Sequence, residues 1–261
     1  MTHAHPESIS FDRIAERYDA TRGGEARGEQ IGADVAALLD PSKRVVEIGV
    51  GTGVISLALR KRGFDVVGVD ISMEMLKRAQ QRLGPRVAQA DAMVLPFADV
   101  SVDQMVCVWM LHCVGDVSAT LAEFSRVLRP GGRCFVVDGK AHIHQGVAEE
   151  AYREIEQGLG LEPRLGRVHT YAELAGEAGL GVERIVDSGP HPHEMQLAHV
   201  LHNFESRCHS YMWDVPDDVW ERVSRPVIER LRARPDLHEP RIAEGWQEIL
   251  VLRRSSVGGG C

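Results

Sequence analysis

The residues of this chain best placed to do chemistry are Glu47, the alternating glycines Gly49, Gly51 and Gly53, and the carboxylates Asp70 and Asp91. The apolar run Val45-Val46-Glu47-Ile48 leads into Gly49-Val50-Gly51-Thr52-Gly53, a helical pattern follows, and a second apolar run ends at Asp70. That order predicts a strand, a tight turn, a helix and a second strand. Glycines let the main chain come close to a ligand, and the first turn of the helix offers N–H groups with no partner of their own. A carboxylate about 20 positions after the first glycine can accept hydrogen bonds from two ribose hydroxyls. The combination predicts a cofactor that contains adenosine. Val54 stands where a dinucleotide-binding turn would carry its last Gly or Ala, so the turn departs from that pattern.

These residues need elements to hold them. Apolar positions 11, 14, 15 and 18 share a helical face, Gly23-Gly24 interrupts, and a second helix is expected from Gln30 to Leu39. Strands are expected at Arg44–Ile48, Asp65–Val69, Val87–Ala90, Gln104–Val108 and Arg133–Val137. Helices lie between them: Val54–Lys61, one capped by Ser72 and running to Leu83, and one capped by Ser118 and running to Leu128. Further helices are expected at Val147–Gln157 and, capped by Thr170, as far as Ala178. Strands follow at Gly181–Asp187 and Ile249–Leu252. Alternating strands and helices predict an α/β fold, a doubly wound, mostly parallel sheet of seven strands. The expected layout is a single domain over 1–261. Its core covers about 40–190 and 241–253, with an N-terminal helical lid at 8–39 and a helical insert at about 190–240 between the last two strands.

The chain has 261 residues, of which 44% are hydrophobic and 26% charged, the balance of a globular protein. A net charge of −8 argues against non-specific nucleic-acid binding. No apolar run approaches a membrane span, and the first residues carry no secretory signal. Five cysteines without a CxxC pair predict reduced thiols and a cytoplasmic protein. A homodimer is left open.

Five stretches in order resemble class I S-adenosylmethionine-dependent methyltransferases, in the small-molecule branch that includes the ubiquinone/menaquinone type. They are Phe11-Asp12 with Tyr18-Asp19 and Arg22-Gly23; Glu47 to Gly53; Val69 to Leu76; Asp91 with Leu95-Pro96-Phe97; and Arg126 to Gly132. The resemblance covers about residues 11–138 and implies a Rossmann-like methyltransferase fold, with S-adenosyl-L-methionine as methyl donor and S-adenosyl-L-homocysteine as product. It implies that Gly49, Gly51 and Gly53 pass beneath the methionine part and that Glu47 orders that loop and the ammonium. Asp70 would bind the ribose, with Ile71 and Met75 packing on the adenine. Asp91 would accept from the adenine amino group, with Ala92 and Met93 beside it, and Tyr18 and Arg22 would close over the cofactor. A cationic ligand without phosphate suits three acids; a dinucleotide would bring a pyrophosphate instead.

In that family the segment Val108 to Asp116 lies beside the reactive end, which makes His112 the first candidate for a general base. Trp109 would either face the sulfonium, as a cation–π partner, or serve packing. In the histidine-rich insert, helical spacing puts Met195, His199, His202, Ser206 and His209 on one face, with Leu197, Leu201, Phe204, Cys208 and Tyr211 opposite. Either His202 and His209 reach the substrate or the histidines are solvated and the apolar face packs down. No metal site is expected, since no cysteine pair supports one. In-line methyl transfer to O, N or C of a small metabolite is the expected reaction. The alternatives are a protein, peptide or nucleic-acid acceptor, or binding of the cofactor without catalysis.

Overall fold

Val45–Ile48 (β1), Val66–Asp70 (β2) and Val102–Val108 (β4) are apolar almost throughout because both faces of the sheet they form are covered. The computed structural model describes residues 8–143, 146–161 and 167–256. Val87–Gln89 (β3), Leu128–Ile143 (β5), Leu180–Asp187 (β6), His191–Met195 (β7) and Arg241–Arg254 (β8) complete the strands. The sheet order is β3-β2-β1-β4-β5-β8-β6, with β7 paired to β8 off this path. The pairs β1–β2, β1–β4, β2–β3 and β4–β5 are parallel, while β6 and β7 run antiparallel to β8. The seven strands of that path form the doubly wound, mostly parallel sheet that the alternation predicts, and β7 adds an eighth strand. The sheet order reverses between β1 and β4, and a crevice opens at the carboxyl ends of strands at such a point.

The chain divides into two compact units. Of the described residues, the first holds 8–138, 167–188 and 248–256 and the second 139–143, 146–161 and 189–247. In the first unit, alternate strand residues serve opposite faces. Val45, Val66, Val106, Val108 and Phe135 pack with Ile31 and Val35 of helix Gly24–Ala36 (α2) and Ile55 and Leu59 of helix Val54–Lys61 (α3). On the other face, Val46, Ile48, Met105 and Cys107 pack with Leu121 and Phe124 of Val117–Val127 (α5) and with Val168 and Tyr171 of Arg167–Glu177 (α7). The α2–α3 contact is close because Gly28 and Gly32 face it; a Cβ at Gly32 would stand 2.6 Å from the Ala58 Cβ. Ahead of α2, Asp12–Arg17 is a 3-10 turn that runs into the short helix Tyr18–Arg22 (α1). In the second unit, Val147–Gly158 (α6), Leu197–Glu205 (α8) and Asp217–Arg232 (α9) surround Ile155, Leu197, Phe204, Trp220 and Leu231.

The structure corrects several boundaries. The second N-terminal helix starts at Gly24, not Gln30, because Gly23 already takes the left-handed turn (φ 81°). Asp116, not Ser118, caps α5, its side chain accepting from Ala119 N at 2.9 Å. Ser72 caps helix Met73–Leu83 (α4) as expected, accepting from Met75 N at 3.1 Å. Thr170 is no cap: α7 begins at Arg167. The stretch around 190 is a strand, β7, held by the early part of β8, so Met195 does not share a helix with His199. His209 also falls outside α8, ahead of a 3-10 turn at Ser210–Met212.

Candidate active site

Between the ends of β1, β2 and β4 the first unit holds a cleft with about 650 Å³ of empty space. Its floor is Gly49 and Gly51, one side is Asp70, Ile71 and Met75, and another is Asp91 and Ala92. Val108, Trp109 and Met110 close the end, and Ser8, Ile9, Phe11 and Tyr18 of the N-terminal segment form a further wall.

The glycine turn is built to be held by main-chain bonds. Gly49 N and Val50 N donate to Val69 O at 2.8 and 2.9 Å. Gly51 sits at φ 54°, a conformation side-chain-bearing residues rarely take, and a Cβ there would meet open space. Its N–H donates to Asp70 Oδ2 at 2.8 Å, while Asp70 Oδ1 accepts from Ser72 N at 2.8 Å. Asp70 thus ties the turn to the start of α4. Burial pushes its carboxyl up, opposed by these two N–H groups. Each carboxylate oxygen can accept more than one hydrogen bond, so Asp70 retains acceptor capacity toward the cleft.

Asp91 uses Oδ1 for its own turn, accepting from Met93 N at 2.9 Å and from Ser8 Oγ at 3.3 Å. The loop behind it is fastened by Arg126, which donates to Leu95 O and Phe97 O at 3.2 and 3.0 Å and pairs with Glu123. Glu47 lies under the turn rather than in the cleft wall. It is buried and takes a hydrogen bond from Ser56 Oγ, and burial first, then nearby Asp70, pushes its carboxyl up to about 8.

Trp109 holds a left-handed backbone (φ 47°) at the end of β4, a strained choice for a bulky residue. The guanidinium of Arg27 lies over its ring, 3.4 Å from the centroid. Arg27 also donates to Arg22 O at 3.1 Å and pairs with no carboxylate among the described residues. Burial lowers its pKa to about 9, so it stays a cation at neutral pH. Arg22 stands 5.9 Å over the Tyr18 ring, and burial pushes the Tyr18 phenol up.

Of the residues expected to hold the cofactor, Tyr18, Gly49, Gly51, Asp70, Ile71, Met75, Asp91, Ala92 and Trp109 line the cleft, whereas Arg22, Glu47, Gly53 and Met93 do not. His112 lies in the turn Leu111–Cys113, whose neighbours Met110 and Cys113 line the cleft. His202 is exposed on α8. His209 packs its ring on Tyr211 and meets the Tyr152 hydroxyl at 3.3 Å, within the second unit. Sequence reasoning missed Arg27, and it missed the Asp19 link, in which Thr52 Oγ1 and Arg82 Nη2 donate to the carboxylate at 2.5 and 2.7 Å. A charged residue facing an aromatic one across the fold leaves no local pattern.

A family model described as a methyltransferase domain matches residues 46–136. A demethylmenaquinone methyltransferase of Mycobacterium sp. (strain KMS) is 38% identical over 167 residues, 62% of this chain and 71% of that protein. Among solved structures, an S-adenosylmethionine-dependent methyltransferase of Thermotoga maritima aligns with TM-score 0.54 at 21% identity, over 94% of this chain and 98% of that one. Phosphoethanolamine N-methyltransferase 2 of Haemonchus contortus, in complex with phosphomonomethylethanolamine and S-adenosylhomocysteine, aligns with TM-score 0.54 at 18% identity, over 94% and 58%. At that identity these two speak for the fold alone. The chain belongs to the class I S-adenosylmethionine-dependent methyltransferases that act on small molecules. It is an enzyme, and its methyl donor is S-adenosylmethionine.

Proposed function

We propose that the cleft of the first unit holds S-adenosylmethionine with its ribose on Asp70, its adenine between Ile71, Met75 and Asp91, and its methionine part over Gly49 and Gly51. The convergence of Gly51, Asp70 and Asp91 on one cleft carries this reading. Arg27, desolvated against Trp109 and without a carboxylate of its own, suits the carboxylate of the cofactor. Glu47 supports the turn from below.

The acceptor we propose is an aromatic quinol of the demethylmenaquinone kind, after the name its relatives carry. Ile9, Phe11 and Val114 give the cleft an apolar side fit for a flat ring. A quinone ring is electrophilic and will not attack a sulfonium methyl; the reduced ring, once a hydroxyl loses its proton, will. His112 takes that proton. The ring carbon then forms the new bond to the methyl as the C–S bond breaks, and the electron pair leaves on a neutral sulfide. Alignment and exclusion of water supply most of the rate. A cytoplasmic location fits four free, buried cysteines and described residues in which no helix is long and apolar enough to cross a membrane. The test is methyl transfer from labelled S-adenosylmethionine to a short-chain demethylmenaquinol, with calorimetry of S-adenosylhomocysteine against NAD. Binding of S-adenosylhomocysteine but no NAD is expected. Tight binding with no product from the quinol would remove this acceptor.

A further inference from the structure

The buried run of β5 ends in a charge. Cys134, Phe135, Val136 and Val137 are all apolar and at most 1% exposed, and then comes Asp138 at 5%. A carboxylate taken out of water is costly unless hydrogen bonds and an opposite charge meet it. Here a phenol hydrogen-bonds one carboxylate oxygen and an imidazole stands near the same atom. The Tyr171 hydroxyl of α7 donates to Asp138 Oδ2 at 3.1 Å. His112 Nδ1 lies 3.7 Å from that oxygen, longer than a hydrogen bond but within reach of a small side-chain rotation, with 26% of its side chain exposed. A buried acid, a buried phenol and a partly exposed imidazole thus meet at the carboxyl edge of the sheet, in the same unit as the cofactor cleft. The imidazole belongs to the turn whose neighbours Met110 and Cys113 line that cleft.

We propose that Asp138 is a positioning residue for methyl transfer, holding His112 with its proton on Nδ1 so that Nε2 takes the acceptor's proton, and that Tyr171 tempers it by sharing Oδ2. This rests on the reading above that the acceptor loses a proton to His112. The balance is simple. The acceptor's O–H proton goes to Nε2 and gives an imidazolium, which the Asp138 carboxylate stabilises. The acceptor's electron pair forms the bond to the methyl, the C–S pair departs on sulfur, and the ring proton displaced at carbon passes to water. His112 then returns its proton to the ring oxygen as the ring regains aromaticity, so one proton is released for each methyl transferred.

The ionisable groups packed around the pair are Tyr171 and Arg167 of α7 and Cys107 of β4, with Cys134 beside Cys107. Burial holds the Tyr171 phenol neutral, and the hydrogen bond with Cys134, then burial, holds the Cys107 thiol neutral, so the anion facing His112 is Asp138. Removing its charge must lower the affinity of His112 for a proton. Removing the phenol must raise it, because the carboxylate then has no hydrogen bond from Tyr171 to offset its charge.

The test is the NMR titration of the His112 imidazole in the full chain bound to S-adenosylhomocysteine, assigned by its loss in His112→Asn. Asp138→Asn is expected to lower the His112 pKa by about one unit, and Tyr171→Phe to raise it. Opposite signs are the signature, since general loosening of the fold would move both variants the same way. In turnover with the demethylmenaquinol, the acid limb of kcat should follow the same signs, because a base works only when unprotonated. Asp138→Asn should also lose about tenfold or more in kcat, with KM for S-adenosylmethionine unchanged. A His112 pKa that does not move in Asp138→Asn, or moves the same way in both variants, overturns the inference. If the wild type leaves the quinol unmethylated, the proposed acceptor is wrong, and the titration still decides the role of Asp138.

Discussion

Arg27 is the residue whose environment is hardest to explain without a ligand. Its guanidinium carbon lies over the Trp109 ring, is largely dehydrated, and meets no carboxylate among the described residues. A charged hydrogen bond to a cofactor carboxylate is worth about 1.5–3 kcal/mol. Arg27→Met should therefore weaken S-adenosylmethionine at least tenfold by calorimetry while leaving decarboxylated S-adenosylmethionine unchanged. Equal losses for both ligands would mean that Arg27 serves only to pack Trp109. Glu47 tests a different property. Its folded pKa of about 8 lies above the value of 4.5 for a free glutamate. A raised carboxyl makes the folded state the better proton binder, so its contribution is complete below the unfolded pKa and is lost as pH rises toward the folded one. Against Glu47→Gln, wild-type stability in urea should fall between about pH 5 and 8, by about 1.4 kcal/mol per pH unit at the steepest. A constant difference would show Glu47 to be charged in the fold.

At the scale of elements, the N-terminal segment is fastened to the glycine turn and to α4 by two acids. Asp12 accepts from Ser72 Oγ at 2.5 Å and Glu74 N at 3.0 Å, which extends the cap of α4, and these bonds hold its own carboxyl below the usual range. Asp19 joins Thr52 and Arg82. Asp12→Ala should cost about 1 kcal/mol, the size of a lost helix cap, with Asp12→Asn recovering part of it in urea unfolding. No loss would mean water replaces the carboxylate at no cost. These fastenings mark what could be read in advance. Helix Val54–Lys61, the Ser72 cap and the strands through Glu47 and Asp70 were legible because their signals are local: an apolar run, a glycine, a cap. Asp116 against Ser118 was not, since both are good caps two residues apart. Strand β7 was not, because His191-Pro192-His193 has little strand character and takes its form from pairing with Gly245, Glu244 and Ala243. In the site, Gly51, Asp70 and Asp91 stood out by spacing, while Arg27 and Asp138 depend on which side chains the fold brings opposite them.

For the whole molecule, two compact units with separate cores imply that a ligand held by one of them stabilises that one first. The cleft walls come from residues 8–18, 48–51, 69–75, 90–92 and 108–114, all in the first unit. A ligand at 100 times its dissociation constant adds about 2.7 kcal/mol to whatever unfolds with its site. Hydrogen exchange with S-adenosylhomocysteine at that level should therefore slow most at the amides of Gly51 and Ser72, whose N–H groups already bond Asp70, and across the N-terminal wall. The amides of α8 and α9, built around Phe204 and Trp220 in a core of their own, should change little. Protection spread evenly over both units would mean that they unfold as one cooperative body, and that occupancy of the cleft is felt as far as the histidines of α8.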